Sequence, residues 1–186
     1  METQQAEPGV LARDVLVRVA DHADRYGIHA ALDEHYGRRG AVGFLWSLGR
    51  LPEGQAVRVR LPLSHPAAPS SVLVRSPLTG DKLQFRLCAN ITRKVGRSNS
   101  RVSWPLDEIG PRLRWLERRA AEQGFHVDAV TTKTGRTFIR KGRGFWIDET
   151  MFVGELTVIG ADAFAAALAG GVGQRQTFGF GLLETF

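Results

Sequence analysis

This chain of 186 residues predicts an α+β architecture with two β-α-β-β-α-β units in tandem, placed at residues 1–78 and 79–186. Three observations lead there. Strand-like and helix-like periodicities alternate in the same order twice. The turn sequence Pro77-Leu78-Thr79-Gly80 separates the two runs. Each run also closes on an apolar strand pattern, as a unit of this kind must.

In the first unit Met1–Leu11 is polar and irregular, and reads as a loose N-terminus. Val15-Leu16-Val17-Arg18-Val19 is rich in β-branched residues and predicts a strand. Ile28, Ala31, Leu32 and Tyr36 then recur at helical spacing, and Gly37 and Gly40 end that helix. Val42 to Leu48 reads as an apolar strand, Pro52-Glu53-Gly54 as a turn, and Ala56–Leu61 as an alternating strand. Pro62–Ser71 is too rich in proline for a helix, and Val72-Leu73-Val74 is one more strand. The order is that of a ferredoxin-like (RRM-like) unit whose second helix has been cut back.

In the second unit Leu83, Phe85 and Leu87 alternate with Gln84, Arg86 and Cys88, the pattern of a half-buried strand. A basic loop runs on to Ser103. Pro111 suits a first helical position, Leu113, Leu116 and Ala120 form the inner stripe, and Gly124 stops the helix. Val127–Thr132, Thr137–Arg140 and Met151–Ile159 read as strands, with a hairpin tip at Lys141-Gly142-Arg143-Gly144. A helix from Asp162 to Ala169 and a strand over Phe178–Leu183 complete the second ferredoxin-like set.

The formal charge is +6, which favours a polyanionic partner. It is concentrated. Residues 91–147 hold Arg93, Lys94, Arg97, Arg101, Arg112, Arg114, Arg118, Arg119, Lys133, Arg136, Arg140, Lys141 and Arg143 against only Asp107, Glu108, Glu117, Glu122 and Asp128. A localised basic surface is the electrostatic footprint of nucleic-acid binding, and arginine forks suit phosphate. No apolar run reaches membrane-spanning length and no signal-peptide pattern opens the chain, so a soluble cytoplasmic protein is expected. The single cysteine, Cys88, reads as a buried structural thiol, and no Cys-His cluster suggests a metal or cofactor.

The stretch from Gly170 to Leu183 is glycine-rich. Gly170, Gly171 and Gly173 let the chain turn with positive φ and lie close to a ligand. Backbone N–H groups in such a turn can form an anion site, to which Arg175 adds charge. From Thr177 the period becomes two, with Phe178, Phe180 and Leu182 on one face and Gly179, Gly181 and Leu183 on the other. The stretch is neither a Walker loop nor a Rossmann fingerprint.

Among candidate catalytic groups, Asp33-Glu34 and Asp148-Glu149 read as turn or surface acids, which leaves histidine for proton transfer at neutral pH. The candidates are His22, His29, His35, His65 and His126. His29 follows Tyr26 by three residues, so the two share a helix face at the edge of the apolar stripe.

Four stretches carry a family resemblance. They are the Gly-x-Gly tract ending in Phe-Gly-Phe-Gly-Leu-Leu, the run Phe85-Arg86-Leu87-Cys88-Ala89-Asn90, the helix Trp115-Leu116-Glu117-Arg118-Arg119 followed by Gly124-Phe125, and Tyr26-Gly27-Ile28-His29. Together they resemble the CasE-type CRISPR repeat endoribonucleases of type I-E Cascade. The resemblance implies a metal-independent, cofactor-free endoribonuclease that binds the stem-loop of CRISPR repeat RNA and stays with other Cascade subunits. Cleavage would proceed by 2′-hydroxyl attack, leaving a 2′,3′-cyclic (or 3′) phosphate and a 5′-hydroxyl end. It implies Tyr26 and His29 as catalytic residues, with His29 as base or acid. Gly171, Gly173, Arg175, Gly179 and Gly181 would form the glycine-rich loop. RNA contacts fall to Arg93, Lys94, Arg97, Arg112, Arg118 and Arg119, and to Lys133, Arg136, Arg140, Lys141 and Arg143 on the hairpin. Gln176 departs from the family, which commonly has Lys there. A non-catalytic RNA-binding subunit of similar fold, or a basic ribosome- or DNA-associated protein, are the competing readings.

Overall fold

The computed structural model describes residues 9–20, 23–51, 54–65, 71–96 and 101–186. His22, Arg97, Pro52 and Glu53 of the first-unit turn, residues 66–70 and most of the N-terminal stretch lie outside the described residues.

Two antiparallel four-stranded sheets form the molecule. The first contains β1 (Val10–Arg18), β2 (Leu45–Leu51), β3 (Gly54–Pro62) and β4 (Val72–Arg75), in the order β2-β3-β1-β4. The second contains β5 (Lys82–Ala89), β8 (Phe125–Ile139), β9 (Phe145–Val158) and β10 (Leu183–Thr185), in the order β10-β5-β9-β8. Each places its first and third strands in the middle, so both have the ferredoxin-like order. Helix α1 (Arg25–Tyr36) and a one-turn helix α2 (Arg39–Val42) precede β2, whereas α3 (Gly110–Glu122) and α4 (Ala161–Gly170) serve the second sheet. A short ribbon, β6 (Thr92–Lys94) with β7 (Arg101–Ser103), rises from what reads in sequence as a basic loop.

Periodicity explains the helices. Asp24 caps α1 by accepting from the Gly27 N–H at 2.9 Å, and Ile28, Leu32 and Tyr36 bury one stripe against Phe44, Trp46 and Val59. Pro111 opens α3, and Leu116 and Ala120 pack on Phe152 and Phe125. The second core also takes in Phe164, Ala167 and Leu168 of α4.

The structure corrects four expectations. The strand placed at Val42 begins only at Leu45, because Val42 ends α2. The two strands read at Val127–Thr132 and Thr137–Arg140 are one, since Gly135 stays in register opposite Glu149. The strand over Phe178–Leu183 is absent: Gln176–Phe178 form a 3-10 turn, and Gly179 and Gly181 take φ of 76° and 86°. An alternating Phe-Gly pattern mimics a strand, yet those backbone angles bend the chain, and pairing resumes only at Leu183. Finally Arg112, expected to contact RNA, has no exposed surface. Its Nη2 donates to Asp148 Oδ2 at 2.6 Å, and that carboxylate also accepts from Thr150. The charge has a partner inside the protein and none outside.

Burial raises the Asp148 carboxyl above its ordinary range despite Thr150 and Arg112 beside it. The pair is therefore a poorly solvated one that tolerates no loss of a member. Arg112→Ala should destabilise the fold by about 3–5 kcal/mol in urea unfolding, and Arg112→Met with Asp148→Leu should recover much of it. A folded, fully stable Arg112→Ala protein with reduced RNA affinity would return Arg112 to the binding surface.

Candidate functional site

The first turn of α1 is where both units meet. Asp24 Oδ1 holds the helix N-terminus, while its Oδ2 accepts from the Arg140 backbone N–H at 3.3 Å. One carboxylate thus seats the tip of the β8–β9 hairpin on the helix that carries Tyr26 and His29. Lys141, on that tip, stands with its ammonium 5.8 Å from the centre of the Tyr26 ring. Tyr26 itself packs against the cluster of Ile139, Ile147, Phe178 and Phe180.

Arg25 fixes the other side. Its buried guanidinium donates to the Phe178 and Gly179 carbonyls at 3.0 and 3.3 Å and pairs with Glu149 at 2.9 Å. It also lies over Phe180, 4.5 Å from the ring centre. Trp46 Nε1 donates to the Thr177 carbonyl at 3.2 Å. A Cβ on Gly179 would lie 2.5 Å from the Trp46 ring, so the loop can lie against this indole only as glycine. Within the loop, the Val172 N–H donates to Gly181 O at 2.7 Å and the Gly181 N–H to Cys88 O at 2.8 Å. Arg175 is the single non-glycine residue with positive φ among the described residues, and its exposed guanidinium lies 5.6 Å from the Phe145 ring centre.

His29 sits in this setting with 15% of its side chain exposed. Its ring meets Phe178 edge-on, and Nδ1 is buried without a hydrogen-bond partner among the described residues. Nε2 faces Asp33 Oδ2 at 3.5 Å. Asp33 Oδ1 accepts from the Arg39 backbone N–H at 2.9 Å, and Arg39 Nη2 donates to Gln176 Oε1 at 2.6 Å. Gln176 Nε2 in turn donates to Gly170 O. Gln176 thus recruits a cation from the first unit to the glycine loop. Burial, the largest influence, holds the imidazole below its usual 6.5; Asp33 opposes this, and the charges of Arg39 and Lys141 add to it. The ring is mostly neutral at pH 7, with Nε2 directed at an Asp33 carboxylate that can only accept.

The remaining cations fall into two groups. Lys133, Arg136, Arg140, Lys141 and Arg143 are exposed along the hairpin. Arg93, Lys94, Arg118 and Arg119 line a cavity of about 410 Å³ between α3, the β6–β7 ribbon and Gly173-Gln174. Burial pushes the Cys88 thiol up to about 12, so it stays protonated. Among the described residues no group of three or more His, Cys, Asp or Glu side chains is placed to hold a metal ion, and no helix is long and apolar enough to cross a membrane.

Residues 10–185 match the family described as CRISPR associated protein. Over 119 residues the chain is 30% identical to the CRISPR-associated endoribonuclease Cse3 of Thermus thermophilus, covering 56% of this chain and 56% of that protein. The aligned part thus spans about half the length of that curated relative. The fold matches Thermus thermophilus Cse3 bound to an RNA representing a pre-cleavage complex, with a TM-score of 0.78 at 25% identity over 96% of this chain and 100% of that one. It matches Cas6e from Escherichia coli with a TM-score of 0.69 at 21% identity, over 95% and 98% of the two chains.

Sequence reasoning missed Asp33 and Arg39 as neighbours of His29. Asp33 stands one helical turn on, at i+4, a spacing visible in sequence; Arg39 comes from another helix and carries no such signal. An NMR titration of His29 should show a midpoint below 6.5. Asp33→Asn removes the one influence that favours the imidazolium and should lower the midpoint further. Lys141→Met should raise it. A higher midpoint in Asp33→Asn would show that the carboxylate does not act on this ring.

Proposed function

The chain belongs to the family of CRISPR-associated proteins, and on that premise we propose that it is a metal-independent endoribonuclease that binds the stem-loop of CRISPR repeat RNA and cuts it to mature guide. The observation that carries this reading is the partly exposed His29 ring set edge-on to Phe178 of the glycine-rich loop, with Arg39 tied to that loop through Gln176 and Lys141 beside Tyr26 on the same helix turn. The family match and the likeness to RNA-bound Cse3 support it.

In the reaction the 2′-oxygen attacks the adjacent phosphorus and the bond to the 5′-oxygen breaks, giving a 2′,3′-cyclic phosphate. The His29 imidazole takes the 2′-hydroxyl proton, a role suited to a ring kept neutral by burial. The departing 5′-oxygen takes a proton from the Tyr26 phenol or from the Lys141 ammonium beside it. Lys141 and Arg39 stabilise the charge that grows on the phosphate. Because the substrate supplies its own nucleophile, the protein has only to align it and move protons, and no metal is needed. The exposed cations of the hairpin grip the stem through its phosphates, since the deep, narrow major groove of A-form RNA is closed to broad elements. By its likeness to CasE-type subunits the protein keeps its product and remains in Cascade.

The test is incubation with a repeat hairpin in EDTA. Cleavage should yield a cyclic phosphate end and slow by about 100- to 10,000-fold in His29→Ala, with binding retained. A single 2′-deoxy sugar at the scissile position should be bound and left uncut. Tight binding with no cleavage by the wild-type protein would make it a non-catalytic RNA-holding subunit.

A further inference from the structure

The cavity beside α3 shares none of its lining with Tyr26, His29 or Lys141. Six cationic side chains and no carboxylate line it. Arg118 and Arg119 lean on Glu122 at the rim, but Arg93, Arg101 and Arg114 have no carboxylate partner among the described residues. Such an accumulation of unpaired positive charge around a hollow is unfavourable for the free protein and calls for an anion.

Two indoles give the hollow a second chemistry. Trp104 lies under the Arg93 guanidinium at 4.7 Å, and Trp115 stacks on Phe152 with its rings 9° from parallel. Gly173 runs so close over Trp115 that a Cβ would come within 3.0 Å of it, which brings the glycine loop into the wall. Cations that track a phosphate chain, set beside aromatic rings, are how proteins hold single-stranded nucleic acid. A duplex keeps its bases stacked inside and is too wide for a cavity of about 410 Å³, whereas one splayed-out nucleotide fits.

The loop also sets the distance. Gly173 lines the cavity, and Phe178, which touches His29, lies five residues further on. Their Cα atoms are therefore at most about 18 Å apart, a span that a few nucleotides cover.

We propose that this cavity holds an unpaired ribonucleotide flanking the hairpin, its phosphates on Arg101 and Arg114 and its base against the Trp104 and Trp115 indoles. The proposal rests on the reading above that the substrate is a repeat RNA hairpin, and it adds a separate contact for the single strand that leaves the cleavage site.

Binding would be measured with full-length protein and two uncleavable RNAs, both 2′-deoxy at the scissile sugar: a blunt hairpin and the same hairpin with single-stranded flanks. The wild type should prefer the flanked RNA. Trp104→Leu should cost about 5- to 150-fold on the flanked RNA, the range for losing one stacked base. Arg101→Ala with Arg114→Ala, both exposed and tolerant of change, should cost the flanked RNA at least ten-fold more than the blunt one. Equal losses on the two RNAs would place the cavity on the stem, and no loss on either would remove RNA from it; both outcomes overturn the proposal. His29-dependent cutting of a cleavable blunt hairpin reports on the parent reading separately, and persists if only the cavity assignment fails.

Discussion

The buried guanidinium of Arg25 is the contact on which the site depends. It leaves the first turn of α1, crosses to the second unit, and satisfies two carbonyls of the glycine loop together with Glu149. Tyr26 and His29 follow it on the same helix, so the interaction that anchors the loop also sets where an imidazole and a phenol stand relative to it. A charge this deep has a large desolvation cost, which these acceptors and the rings of Phe180 and Trp46 offset. Any other docking of the two units would strand it.

The rest of the junction is built in the same way. Arg60 spans from Asp14 on its own sheet to the carbonyls of Leu168 and Leu183 on the other unit. Glu184, nearly inaccessible, accepts from Ser47 and pairs with Arg58 and Arg86. Buried ion pairs contribute little net stability compared with apolar packing, but each is costly to break and permits few geometries. Two small ferredoxin-like units joined by such contacts are held in one relative placement. The proton transfer proposed for a site assembled from both would need that placement, because it tolerates little displacement.

The glycine loop links two kinds of chemistry. At one end its Phe178 borders His29, and at the other its Gly173 forms the wall of a basic, indole-lined cavity. Its closure by the Val172 and Gly181 hydrogen bonds and its anchoring on Cys88 make it a fixed frame between the two.

Local physics was legible in the sequence. The stripe of Ile28, Leu32 and Tyr36, the alternation through Phe85 and Leu87, and Pro111 at the start of α3 each depend on neighbours a few residues away, and each element formed where its pattern placed it. The Tyr26–His29 spacing and the basic character of residues 91–147 were legible for the same reason. What the sequence could not decide was which charges face water. Arg112 and Arg118 look alike in sequence, yet one is sealed against Asp148 and the other lies on an exposed rim. Phe178-Gly179-Phe180-Gly181 alternates as a strand does, yet it turns because Trp46 and Arg25, more than a hundred residues earlier, demand that path. Asp33, Arg39 and Gln176 become one network only when α2 meets the loop. Burial and pairing across long separations belong to the packed chain, because the desolvation that sets the energy of a charge exists only once the other half of the molecule has covered it.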